Sequence, residues 1–184
     1  MSNAILALDQ SLSRTGWALH VDGCDLMVGS WPLADRPALR PEGFRQLFYH
    51  LDQMHKAHGL AEIIHEKPNF GAANQGEDQL IGQIGLIAVI ELFGCSRSVP
   101  VAAHYTQSWR TTWFLKHERK AIQAMPGKLR DWKGRAVERA EQYGLSASNG
   151  DEAEACAILT HHLLTSQRNA PWFVERRSQI SSII

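Results

Sequence analysis

Residues 4–23 read AILALDQSLSRTGWALHVDG, and the order of apolar and polar positions in this stretch decides the fold. Ala4 to Asp9 is an apolar run that ends in an acid, followed by the polar turn Gln10-Ser11-Leu12-Ser13. Gly16 to Val21 alternates as a half-buried strand does, and Asp22-Gly23 suits a hairpin turn. Leu26 to Leu33 supplies a third strand-like stretch. The spacing predicts an antiparallel meander of three strands, with Asp9 at the tip of the first.

Working outward, Pro41 starts a helical pattern in which Phe44, Leu47, Phe48, Leu51 and Met54 recur at three- and four-residue steps, and Gly59 ends it. Ala61 to His65 reads as a short strand delivering Glu66 at its end, with Pro68 stopping the ladder. Asp78 is placed to cap a long apolar helix through Phe93 that Gly94 closes. Gly82 and Gly85 within it would permit close packing on the sheet. Val99 to Ala103 is a fifth strand. A Trp-bearing segment (Tyr105 to Leu115), a basic segment (Lys116 to Arg130) and a basic amphipathic helix (Leu129 to Tyr143) follow. The linker Gly144 to Gly150 leads to a final helix, Asp151 to Thr165. This order describes an α/β protein, a mixed five-stranded sheet with helices on both faces, whose strand order periodicity alone does not fix.

At 184 residues the chain has room for one domain with a proper core. That domain is assigned to residues 1–168, and the polar, then Ser-Ile-rich segment 169–184 is expected to be a mobile tail. No continuous apolar run reaches the roughly 18 residues that span a bilayer, and the N-terminus lacks a basic n-region. A soluble cytoplasmic protein without membrane contact is the expectation. Cys24, Cys95 and Cys156 form no Cys-x-x-Cys pair and read as small buried hydrophobes in a reducing compartment. Net charge is zero, yet residues 110–139 hold nine Lys/Arg against three acids. A locally basic arm beside an acidic pocket suits a phosphodiester substrate, although such a run alone is as well explained by a solvated helix face.

Four acids define that pocket. Asp9 and Glu66 end strands, while Asp151 and Glu154, three apart at a helix start, project from one face. Carboxylates that converge repel one another and demand a counter-charge. Oxygen-only donors favour Mg²⁺, with Mn²⁺ as an alternative, over zinc. Two such ions roughly 3.5–4 Å apart would activate a water and stabilise the leaving oxygen of a phosphodiester. Each acid has a plainer reading by itself. Asp151 is a good N-cap with Glu154 as its capping-box partner, Glu66 an ordinary strand-end acid, and Asp9 the start of an Asx-turn. The joint arrangement is what points to metal-dependent hydrolysis.

The segment ILALDQSLSRTGWA (residues 5–18), in which Asp9 is followed seven residues later by Gly16, resembles the opening strand–turn–strand of RuvC-like Holliday junction resolvases. His65-Glu66-Lys67-Pro68-Asn69-Phe70 with Asn74 resembles the segment carrying their second acid. Asp151-Glu-Ala-Glu-Ala-Cys-Ala-Ile158, with His161-His162 after it, resembles their closing helix. The likeness runs in order over residues 4–165. It departs at Gln10-Ser11, where many bacterial members have Pro-Gly, at Glu154, which stands for Asp, at Phe70 and Asn74, each one residue further from Glu66 than in the bacterial pattern, and over the Trp-rich residues 105–130. The resemblance implies an RNase H-like domain in which Asp9, Glu66, Asp151 and Glu154 hold Mg²⁺ and catalyse. It implies a homodimer that cuts two strands of a four-way DNA junction. Phe70 would be the wedge that stacks on unpaired bases, its plainer reading being a loop anchor. Asn74 accompanies it, and Arg14, Lys67 and Lys133 are candidate phosphate contacts. Trp109, Trp113 and Trp132 read as core or interface residues, and only one of His161 and His162 can share the face of Glu154.

The expected activity is a crossover junction endodeoxyribonuclease. Two alternatives stay open: an RNase H-like nuclease acting on other branched DNA or RNA, and a non-catalytic junction-binding module. Four intact carboxylates speak against the second. A kinase-like relative is disfavoured because no glycine-rich phosphate loop is present.

Overall fold

A computed structural model describes residues 4–34, 36–67, 76–166, 168, 170, 172 and 173. Phe70 and Asn74, with the stop at Pro68, lie outside the described residues.

The meander forms as read. Strands β1 (Ala4–Asp9), β2 (Arg14–His20) and β3 (Met27–Pro32) pair antiparallel, and Gly23, at φ +80°, supplies the left-handed residue of the β2–β3 turn. Helix α1 (Arg40–His58), closed by a left-handed Gly59, carries the chain across to β4 (Leu60–Lys67), which pairs parallel with β1. Helix α2 (Glu77–Arg97) then leads to β5 (Val101–Tyr105), parallel to β4. The sheet order is β3-β2-β1-β4-β5, a mixed five-stranded sheet. Four further α-helices follow among the described residues: α3 (Thr106–Trp113), α4 (Lys116–Ala124), α5 (Trp132–Gln142) and α6 (Gly150–Thr165).

Side-chain alternation sorts the strands between two cores. Leu6, Leu8, Leu19 and Ile63 pack with Leu47 and Leu51 of α1 and Leu86, Ile90 and Phe93 of α2. Ile5, Ala7, Ala18 and Ile64 turn the other way, onto α6 with α3 and α5 behind it. Asp9 is in phase with Ile5 and Ala7, and Glu66 with Ile64. Both acids therefore face α6.

Helix α6 is buried from Glu152 through Leu163. Ala153, Ala155 and Ala157 keep it thin enough to lie close on the sheet. Its first turn comes closer still at Gly16, which pairs with Asp9 across β1–β2; a Cβ there would fall inside the backbone carbonyl of Asp151. The Asp-to-Gly spacing noticed in the sequence is thus a close approach of helix to strand.

Several boundaries differ from the sequence reading. Helix α2 starts at Glu77 with Gly76 as N-cap, and runs past Gly94 to a left-handed Ser98. Gly94 serves packing instead: a Cβ would collide with Val101, so α2 can lie against β5. Asp78 pairs with Arg40 rather than capping. Gly82 and Gly85 make room for Leu12 and for Phe44 of α1, not for the sheet itself. Taken whole, α2 is long and apolar enough to cross a bilayer by length and composition, because its mean hydropathy averages over Gln83 and Glu91, which interrupt the apolar run. One face is buried on the sheet, and Ile81, Ile84 and Leu92 are exposed on the other. Cys156 is buried as expected, but Cys24 and Cys95 are exposed. After α6, Ala170 and Phe173 are buried, Phe173 against Trp113 and Tyr143.

Gly16→Ala should push α6 off the sheet and destabilise the chain by about 1–3 kcal/mol, the usual cost of overpacking. Urea unfolding checks this, and an unchanged midpoint would contradict the close approach.

Candidate active site

The start of α6 is fixed by residues other than the two acids first considered. Asn149 is the N-cap: its Oδ1 accepts from the Glu152 amide at 3.1 Å. Glu152 reaches back, accepting from the Ser148 amide at 2.7 Å, Asn149 Nδ2 at 2.8 Å and Ser30 Oγ of β3 at 2.8 Å. This reciprocal cap satisfies the helix start and ties it to the sheet. The capping roles considered for Asp151 and Glu154 are therefore filled two residues upstream, which leaves both carboxylates for the cleft.

They turn toward Lys133 in the first turn of α5. Its Nζ pairs with Asp151 Oδ1 and lies 3.6 Å from both Asp9 Oδ2 and Glu154 Oε2. Two local features aim it. Asp131 caps α5 by accepting from the Gly134 amide at 2.8 Å, and Gly150 leaves room where a Cβ would sit 2.5 Å from Lys133 Cβ. From α3, Arg110 Nη2 reaches Glu154 Oε1 at 3.6 Å, with its guanidinium over the Trp132 ring at 4.4 Å. Trp109 Nε1 donates to Glu66 Oε1 at 3.0 Å. Gln10 extends the β1–β4 ladder by one rung: its Nε2 donates to the Glu66 carbonyl at 2.5 Å and its Oε1 accepts from the Glu66 amide at 3.2 Å. The cleft holds about 500 Å³ and is lined by Asp9, Glu66 and Glu154 with Arg110, Arg130 and Lys133.

Burial and crowding set the charges. Asp9 is held well above the usual carboxylate range, first by burial and then by Glu154, Glu66 and Asp151, with Lys133 pulling the other way. Burial also raises Glu154, aided by Glu66 and opposed by Lys133, Arg110 and a hydrogen bond with Asp9. For Lys133, burial alone would lower the ammonium, but Asp9, Asp151 and Glu154 outweigh it and the pKa rises. Arg110 is lowered by burial, against the pull of Glu154 and Glu66.

Among the described residues no three Asp, Glu, His or Cys side chains already converge as a metal cage, and the Lys133 ammonium stands among the acids. The donor set nevertheless fits a hard divalent cation. It consists of carboxylate oxygens, and the buried Asp9 Oδ2 has no hydrogen-bond donor. Of the other candidates, Lys67 lies just beyond Glu66 on β4 and Arg14 starts β2, exposed and away from the cleft lining. His161 and His162 meet His104 and Thr112 farther along α6. Gln10, Trp109 and Arg110 were not singled out as site residues. The one sequence signal for them was a glutamine at a strand tip and an aromatic-arginine pair in a basic region.

No family model matches the sequence, and no curated protein is similar to it in sequence. Solved structures are similar in fold. Thermus thermophilus RuvC in complex with a Holliday junction substrate superposes with a TM-score of 0.62 at 12% identity, covering 89% of this chain and 95% of that one. A second Thermus thermophilus RuvC structure gives 0.62 at 14% identity with the same coverage. The yeast mitochondrial Holliday junction resolvase Ydc2 gives 0.52 at 10% identity, covering 98% of this chain and 86% of that one. The chain has the RuvC-like, RNase H-type fold.

Raised carboxyls hold their protons more tightly in the folded chain than in the unfolded one. That stabilisation is complete below about pH 4 and is lost as pH rises through the raised folded values. Asp9→Asn removes the main buried charge. In EDTA it should raise Tm near neutral pH, by about 2–4 °C per kcal/mol recovered, and flatten the fall in stability as pH rises above about 4. A lower Tm for this variant at pH 7 would contradict the burial argument.

Proposed function

We propose that this chain, built on the fold it shares with RuvC and Ydc2, is a divalent-metal-dependent endonuclease that cuts four-way DNA junctions. The observation that carries the reading is that Asp9, Glu66 and Glu154, from two parallel strands and one helix, line one cleft with Arg110, Arg130 and Lys133, and that Asp151 pairs with the same Lys133. A fold hosts many functions, so the case rests on these side chains.

Each residue has work to do on a phosphodiester. Arg110, Arg130 and Lys133 draw the phosphate toward the acids. Trp109 fixes the Glu66 carboxylate, and Gln10 holds the β1 and β4 tips together so that Asp9 and Glu66 stay side by side. Two Mg²⁺ ions, or Mn²⁺ in their place, held by the four acids would supply Lewis-acid activation of water and of the phosphate.

Junction DNA is the proposed substrate because a RuvC of this fold was solved with a Holliday junction. Two cuts call for two sites, so the working form is a homodimer. The exposed Ile81, Ile84 and Leu92 on α2 support this by offering apolar surface to a second copy.

A panel of labelled four-way junction, flap, linear duplex and RNA–DNA hybrid, each with Mg²⁺ or EDTA, tests the reading. Paired nicks in the junction, lost in EDTA, are expected. Asp9→Asn should bind the junction but cut it roughly 10³-fold more slowly or worse. Wild-type cutting by that variant would overturn the site, and metal-dependent cutting of hybrid or flap alone would move the substrate.

A further inference from the structure

Beside the carboxylate cleft lies an adjoining groove of about 470 Å³, lined by Lys67, Tyr105, Thr106, Gln107, Ser108 and Arg110. Thr106 and Arg110 line both, so the two are continuous. Strand register sets the groove's position. Lys67 lies opposite Tyr105, one residue beyond the Glu66–His104 pair, and one residue is about 3.3 Å along a parallel strand. The groove's backbone therefore begins one strand step past the second acid, on the alternate parity of the strand, and Thr106 and Arg110 of α3 join it to the cleft.

Tyr105 is the unusual member. It closes β5 yet is 56% exposed, while Trp109 and Trp113, on the helix that follows, are fully buried. The core makes little use of its ring. Lys67 Nζ sits over that ring, 4.6 Å from its centroid, which steadies the aromatic face beside a cation. A groove of cations alone would take any anion, and an aromatic alone any apolar group. An exposed ring under Lys67, in a groove that Arg110, Thr106 and Ser108 also line, matches a nucleotide: base on the ring, phosphates on the cations.

We propose that Tyr105 and Lys67 form a stacking subsite for the nucleotide next to the cut phosphate. The proposal rests on the nuclease reading above and sharpens it. A base inside a continuous duplex has both faces covered by its neighbours and cannot stack on Tyr105. The subsite therefore favours strands that part at the cleavage point, as they do at a junction or a flap, over linear duplex.

The test uses the full chain in EDTA, so that binding is read without cutting. Four-way junctions carry 2-aminopurine at successive positions around the exchange point, and linear duplex serves as control. Wild-type protein should quench or otherwise shift the fluorescence at one position. Tyr105→Ala should abolish that signal and weaken junction binding about tenfold, the effect of losing one stacked base. Tyr105→Phe should keep both, and duplex binding should be the same for all three proteins. Tyr105→Ala with wild-type signal and affinity would overturn the subsite, as would an equal loss on junction and duplex. A wild-type chain that binds and cuts junctions while Tyr105→Ala changes nothing defeats the subsite alone. A wild-type chain that binds no nucleic acid defeats the nuclease reading and the subsite together.

Discussion

Asp9 and Glu154 are acids that burial and neighbouring carboxylates both push toward neutrality, and the Lys133 ammonium is the positive charge set among them and Asp151. At about 4 Å, two unit charges interact by about 1 kcal/mol in water and several times that in a lower effective dielectric. Unbalanced, that repulsion would drive the strand tips and the start of α6 apart. The same concentration of negative charge, partly offset by one flexible side chain, gives a divalent cation a reason to bind. Structure and proposed chemistry thus share one electrostatic constraint.

The surrounding chain is arranged to maintain that crowding. Gly16 lets the first turn of α6 come down on the sheet beside Asp9. The Asn149–Glu152 cap, bonded to Ser30, keeps the turn there. Asp131 and the missing side chain of Gly150 aim Lys133 inward, while Trp109 and Gln10 hold Glu66 in place from the side and from the strand end.

Much of this was legible in the sequence because it follows from local rules. Alternation and the Asp22-Gly23 turn gave the meander and put Asp9 and Glu66 at strand ends, whereas their common face follows from the β1–β4 pairing seen in the structure. What was not legible depends on contacts far apart in the chain. Gly94 has the look of a helix stop, yet it is a contact glycine whose reason, Val101, lies on the next strand. Asp151 and Asn149 are comparable N-caps by residue type, and Ser30, more than a hundred residues away, helps decide between them. Helix α6 itself was legible, Asp151 to Thr165 against Gly150–Thr165, but its burial on nearly every side comes from the sheet, α3 and α5 packing around it. Lys133 was a candidate phosphate contact from its basic neighbourhood; nothing local indicates that three acids from two other elements surround it.

The most direct test of this shared centre is a crystal structure grown with Mn²⁺ and read by anomalous scattering. Manganese among Asp9, Glu66, Asp151 and Glu154, with the Lys133 ammonium displaced from the acids, is the expected result. Manganese bound only elsewhere, with Lys133 still seated between Asp9, Asp151 and Glu154, would contradict it.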